Sequence, residues 1–266
     1  MIAGTVEGAG VELAYREAGV GRPVVVVHDR ATDALAWTSA LARLGGRAIA
    51  YDRRGYGASG APQGYAATTV EEQAEDLAAL LRALDAAPAL LLGDGFGALV
   101  ALDAAKRHRG LVAGLVLADT PLFALVAAAT PALAGQRSAL EDAMRAGGRD
   151  AGVMLLAGDG GDGEARVRAC AASAAVFADY VGASSWPVTR RQLRALDVPA
   201  AVTTRPGAQA HVVAASDALA ALMPTATRGR AADPVAVAAA RGVPGGGAAA
   251  SGWRLASAAW PRLPSS

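Results

Sequence analysis

Ala89-Leu90-Leu91-Leu92-Gly93-Asp94-Gly95-Phe96-Gly97-Ala98 decides the fold. An apolar run, a glycine-rich turn and an alanine-rich helical pattern follow one another without a break. This is a buried strand entering a helix through a turn with glycines two places either side of its centre, the frame of a nucleophile elbow. In such an elbow the central residue is Ser, Cys or Asp, held in strained backbone geometry at the mouth of a pocket. Here the centre is Gly95, which has no side chain. The frame is present and the reactive group is missing from it.

Outward from the elbow the chain alternates strands and helices. Residues 2–7 and 11–17 read as a hairpin, and residues 23–28 as a strand whose Val24 to Val27 run suits burial on both faces. Residues 35–44 predict a short helix, residues 47–52 a strand, and residues 70–86 a helix capped by Thr69 with Glu71 and Glu72 in its first turn. Residues 96–107 predict a helix and residues 111–119 a strand. The order argues for a mostly parallel sheet with right-handed crossovers and helices on both faces. Residues 121–186 lack strand character and read as a helical insertion, with helices over 138–146 and 164–180 around a glycine-rich loop at 158–163. A strand at 198–204, a helix at 214–222, a strand at 226–231 and a helix at 234–241 complete the pattern. Residues 1–120 and 187–242 are thus expected to form the core, residues 121–186 a cap, and residues 243–266 a flexible tail.

The order of elements and three local signatures resemble the α/β-hydrolase superfamily over about residues 5–240. Tyr51-Asp52-Arg53-Arg54-Gly55-Tyr56-Gly57-Ala58-Ser59 matches the family's Asp-x-Arg-Gly-x-Gly-x-Ser loop, whose role is structural. The elbow is the second signature. The third is a strand ending in His28, with Trp37 beyond it, where the family has His-Gly opening the oxyanion-hole loop. The implied fold is α/β, an α/β-hydrolase fold with a helical cap.

The family's catalytic residues do not carry over. Gly95 replaces the nucleophile, and Asp94 lies one residue early, which aims its side chain away from the pocket. Asp29 stands where the oxyanion loop has glycine, and a carboxylate there opposes developing negative charge. The usual acid position, after the 198–204 strand, reads Arg205-Pro206-Gly207-Ala208. Asp119 occupies an alternative acid position and reads more simply as a strand-end cap. The base position, residues 230–233, has no histidine. Of the three histidines, His28 matches a structural position, His108 ends a helix among arginines, and His211 falls in a loop after a strand. Ser-His-Asp acyl transfer is therefore excluded.

Other chemistries are also unsupported. Three scattered histidines without paired carboxylates make no metal site. The Gly93, Gly95, Gly97 spacing departs from a dinucleotide fingerprint, and Asp94 would oppose a pyrophosphate. No metal and no cofactor are expected. A net charge of +1, interspersed along 266 residues, implies neither nucleic acid nor an anionic membrane. The longest apolar stretch, residues 122–134, is broken by Pro131 and too short to span a bilayer. No basic-then-apolar leader opens the sequence, and the single cysteine, Cys170, suits a reducing cytoplasm.

What remains is a cleft under the cap, at the carboxyl ends of the strands. His28, Asp29, Arg30, Gly95, Phe96 and Leu122 are the expected ligand-binding residues, and no residue is assigned a catalytic role. Gly95 is expected to open space for a small-molecule or peptide ligand and to tolerate serine without loss of the fold. Two functions stay open. One is an isomerase or epimerase acting by positioning. The resemblance extends to the atypical triad-less branch that includes the bottromycin-pathway peptide epimerases, which implies natural-product biosynthesis with an Asp-containing peptide supplying its own carboxylate as base. The other is a pseudo-hydrolase that binds or sequesters its ligand.

Overall fold

The computed structural model describes residues 1–158 and 161–242. The expected tail at 243–266 lies outside them. Strands β1 (Ile2–Glu7) and β2 (Glu12–Ala18) form the hairpin, and β3 (Pro23–Val27) follows. A 3-10 turn at Ala34–Trp37 leads into α1 (Thr38–Leu44), then β4 (Arg47–Tyr51) and α2 (Val70–Ala83). The Thr69 hydroxyl caps α2 by accepting from the Glu72 N–H at 3.0 Å. Next come β5 (Ala89–Asp94), α3 (Phe96–Arg107) and β6 (Val112–Ala118).

The insertion contains α4 (Ala129–Ala157), α5 (Gly163–Ala171) and α6 (Ser173–Ser185). The core resumes with α7 (Arg190–Arg194), β7 (Ala200–Thr204), α8 (Ala210–Leu222), β8 (Ala226–Arg230) and α9 (Pro234–Gly242). The eight strands form one sheet in the order β1-β2-β4-β3-β5-β6-β7-β8, parallel from β4 to β8 and antiparallel where β2 pairs β1 and β4. This is the α/β-hydrolase fold.

Alternation along β3 divides the core. Val25 and Val27 pack with Leu91, Leu99 and Leu117 under α2, α3 and α8. Val24 and Val26 pack on the opposite face with Leu41, Leu92 and Val235 under α1 and α9. Each valine is at most 1% exposed, and burying each side chain contributes roughly 1.5–3 kcal/mol. Among the described residues no helix is long and apolar enough to cross a membrane.

Several helices depart from the sequence expectation. The predicted 164–180 helix is two helices, with Ala172 between α5 and α6 at ψ +18°. α4 extends well past residues 138–146 and is interrupted at Gly147 and Gly148, the second at φ +71°. α7 was not expected, although Thr189 and Gln192 form a complete capping box. α8 starts at Ala210, four residues before the predicted start. That shift bears directly on the site.

The 51–59 loop ties the core together. Asp52 accepts from the Ala34 N–H at 2.7 Å and the Ala58 N–H at 2.9 Å. Arg54 pairs with Asp76 at 2.6 Å. Arg53 reaches up to the cap, where Asp179 of α6 accepts from it at 2.6 Å, from Gln73 Nε2 at 2.8 Å and from the Tyr56 hydroxyl at 2.7 Å. Arg168 of α5 forms a second cap-to-core pair with Asp33 at 2.6 Å.

Candidate functional site

The elbow geometry is intact. Gly95 has φ +50° and ψ −118°, conformational space that L side chains rarely adopt. Close packing requires small residues beside it: a Cβ on Gly97 would lie 2.0 Å from the Val27 carbonyl oxygen.

The space expected to be open at Gly95 is filled. A Cβ built there would lie 2.0 Å from Asp29 Cγ, with both carboxylate oxygens within 2.2 Å. Asp29 Oδ1 accepts from the Phe96 N–H at 2.6 Å. In an elbow that N–H, from the residue after the nucleophile, helps form the oxyanion hole. Asp29 thus stands in the nucleophile's place, at the N-terminus of α3, where the helix dipole favours negative charge. The sequence reading of Gly95 as room for ligand is corrected accordingly.

The same contact corrects the expected tolerance of serine. Gly95→Ser must displace Asp29 and also carry a side chain at positive φ. Overpacking costs roughly 1–3 kcal/mol and backbone strain of this kind a similar amount, so a loss of about 2–4 kcal/mol is expected. Asp29→Gly combined with Gly95→Ser should recover the overlap part of that loss. Thermal midpoints of the three proteins check this. A Gly95→Ser protein as stable as its parent would contradict it.

Asp29, Arg30 and Gly95 line a cleft of about 250 Å³ together with Asp119, Phe123 and His211. Residues 155–158, at the end of α4, form its cap side. The other expected ligand contacts lie elsewhere. Phe96 is fully buried beneath the Arg53 guanidinium, 4.8 Å from its ring centroid, so only its N–H reaches the site. Leu122 is 2% exposed and belongs to the core under α3. His28 is 1% exposed: its Nε2 accepts from the Arg53 N–H at 3.0 Å, which leaves Nδ1 to donate to the Asp29 carbonyl at 2.7 Å. Burial, reinforced by Arg53, holds its pKa well below the ordinary histidine range, so it remains neutral.

His211 was placed in a loop by the sequence. It is the second residue of α8 and lies in the cleft, its ring stacked on Phe123 with centroids 5.8 Å apart. Val212 and Val213 disfavour helix by propensity, and tertiary packing overrides them. Partial burial and the nearby Arg30 lower its pKa, which keeps the imidazole neutral near pH 7.

The two further acids are both held by Arg205. Its guanidinium makes a bidentate pair with Asp94 at 2.8 and 3.0 Å and also contacts Asp119. The Arg205 N–H donates to Asp119 Oδ1 at 2.9 Å. Asp119 itself sits at φ +47°. Burial pushes the Asp94 carboxyl up, to about 6, against the pull of Arg205. Neither acid is placed against a histidine in the loop between β8 and α9, because residues 231–233 are Ala-Ala-Asp.

Sheet order, elbow and cap define an α/β-hydrolase-type scaffold. A family model described as the alpha/beta hydrolase fold matches residues 22–207, and the chain belongs to that family. A putative non-heme bromoperoxidase of Mycobacterium tuberculosis is 34% identical over 114 residues, covering 41% of this chain and 42% of the relative. The chain thus spans less than half the length of such curated relatives. An alpha/beta hydrolase from Sphaerobacter thermophilus has a TM-score of 0.72 at 22% identity, over 90% of this chain and 98% of that one. An esterase from Rhodococcus sp. ECU1013 has a TM-score of 0.66 at 27% identity, over 86% and 90% of the respective chains.

Proposed function

We propose that this protein is a non-hydrolytic member of its family that moves a proton rather than an acyl group. The favoured reaction is epimerisation at Cα within an Asp-containing modified peptide, in natural-product biosynthesis. The observation that carries this reading is the Asp29 carboxylate, anchored at 2.6 Å by the Phe96 N–H in the place of the missing nucleophile.

In the reaction, Asp29 takes the Cα proton of the bound residue. The electron pair of the broken C–H bond delocalises into the adjacent carbonyl as an enolate, next to the Arg30 cation. A proton then returns to the opposite face from solvent, and Asp29 gives up the proton it took to solvent, which restores its carboxylate. The sequence resemblance implied a base supplied by the substrate's own carboxylate. Such a carboxylate would have to occupy the mouth of the elbow, where Asp29 already stands, so the protein's own group takes the role.

The test is incubation with candidate Asp-containing peptides in heavy water. The reading expects a mass gain of one deuterium at Cα together with appearance of the epimer. It also expects no acyl burst with p-nitrophenyl acetate, since no Ser, Cys or Asp projects from the elbow centre. A stoichiometric burst would overturn it.

A second reading, ligand binding without chemistry, is favoured by one observation: Arg205 occupies both Asp94 and Asp119, which leaves neither of them available to orient a base. Peptide binding without deuterium exchange would support this reading over the first.

A further inference from the structure

We propose that Arg30 selects the ligand of this cleft through a carboxylate, and that the group admitted is the size of one amino-acid residue. This deepens the reading above and rests on the cleft being the binding site. Arg30 lines the cleft, and its Nε is buried with no hydrogen-bond partner. A buried donor left unsatisfied costs roughly 1–3 kcal/mol, a cost relieved when the Arg30 side chain turns this edge into the cleft to meet an acceptor on a ligand. The two fully buried arginines among the described residues are committed, Arg53 to Asp179 and Arg54 to Asp76. Beside the cleft, Arg205 is held by Asp94 and Asp119.

A carboxylate can take Nε–H and an adjacent Nη–H side by side, the planar match that guanidinium offers and ammonium does not. A dianionic phosphate is disfavoured, because Asp29 opens into the same small cavity and repels the second charge. Size sets the other limit. At about 250 Å³ the cleft lies below the roughly 300–1,000 Å³ typical of drug-sized ligands, so it holds one residue rather than a peptide. Gln136 and Gln209 at the rim supply amide donors and acceptors suited to flanking peptide groups, and the Phe123–His211 stack provides a flat wall.

The experiment measures binding of N-acetyl-aspartate N-methylamide and its asparagine counterpart to the full chain by ligand-observed NMR. Hydrogen bonds to charged groups contribute roughly 1.5–3 kcal/mol, so the acid should bind at least about tenfold more tightly than the amide. Arg30→Gln should abolish the difference. Arg30→Lys, which keeps the charge and loses the planar fork, should retain part of it and serves if the glutamine variant fails to fold. Equal affinity for the two probes, binding of neither, persistence of the preference in Arg30→Gln, or tighter binding of inorganic phosphate would each overturn the proposal. Acid preference without deuterium exchange would leave carboxylate selection standing and defeat the proton-transfer reading. Exchange without acid preference would do the reverse.

Discussion

Asp29→Asn should lower Cα exchange by roughly 10²–10⁴-fold, the usual contribution of a positioned general base, while leaving the fold in place. Asparagine has the shape of aspartate, and its side-chain oxygen can still accept the Phe96 N–H that Asp29 holds at 2.6 Å. The substitution therefore removes the charge and the proton-accepting capacity with little disturbance of packing. Deuterium uptake by mass spectrometry, beside a thermal midpoint lowered by only a few degrees for the lost charge at the N-terminus of α3, checks both halves. Undiminished exchange would mean that the proton goes to a carboxylate on the substrate, the route implied by the sequence resemblance, and that Asp29 only fills space. Asp29→Gly would be a poorer probe, because it opens a cavity at the elbow as well as removing the base.

Legibility in the sequence followed the range of the interactions. The elbow and the 51–59 loop could be read because each is a local backbone problem: Gly95 at positive φ, Gly97 against a neighbouring strand, Asp52 bonded within its own loop. The sheet could be read for the same reason, since runs such as Val24 to Val27 announce burial on both faces. Asp29 was recognised as hostile to an oxyanion, yet its position could not be seen. That position depends on a contact with Gly95 and Phe96, distant in sequence and closed only when β3 pairs with β5. The sequence places His211 in a loop because the apolar run that follows begins the helix at residue 214, whereas the helix starts at Ala210. The capping box at Thr189 and Gln192 was visible and went unread. Phe96 shows the opposite failure: proximity to the elbow in sequence does not say which face of the backbone a side chain leaves by.

Removing the cap anchor should produce a large loss of stability. Asp179 is 0% exposed and Arg53 is 1% exposed. Burial works against the Arg53 charge, but Asp179 and Tyr56 outweigh it and hold its pKa above the ordinary arginine value. Asp179→Ala leaves that guanidinium buried and uncompensated, which typically costs roughly 3–5 kcal/mol. At about 2–4 °C per kcal/mol for a chain of this size, the thermal midpoint should fall by roughly 6–20 °C. Asp179→Asn should fall between parent and alanine, since it keeps the shape and one acceptor. Urea midpoints for the three proteins measure the series, and a loss below about 1 kcal/mol for alanine would show the pair to be energetically idle. The network also reaches the site. The same Arg53 Nη2 that meets Asp179 donates to the Asp29 carbonyl at 3.2 Å, and Arg53 Nε donates to the His28 carbonyl at 3.0 Å. Arg53 therefore fixes the backbone that carries the proposed base while it fastens the cap above it. Asp179→Ala should thus slow Cα exchange even at temperatures where the variant is fully folded, by loosening Asp29 against Gly95. An Asp179→Ala protein that unfolds earlier but exchanges at the parental rate when folded would confine the network to stability and leave Asp29 positioned by the Phe96 N–H alone.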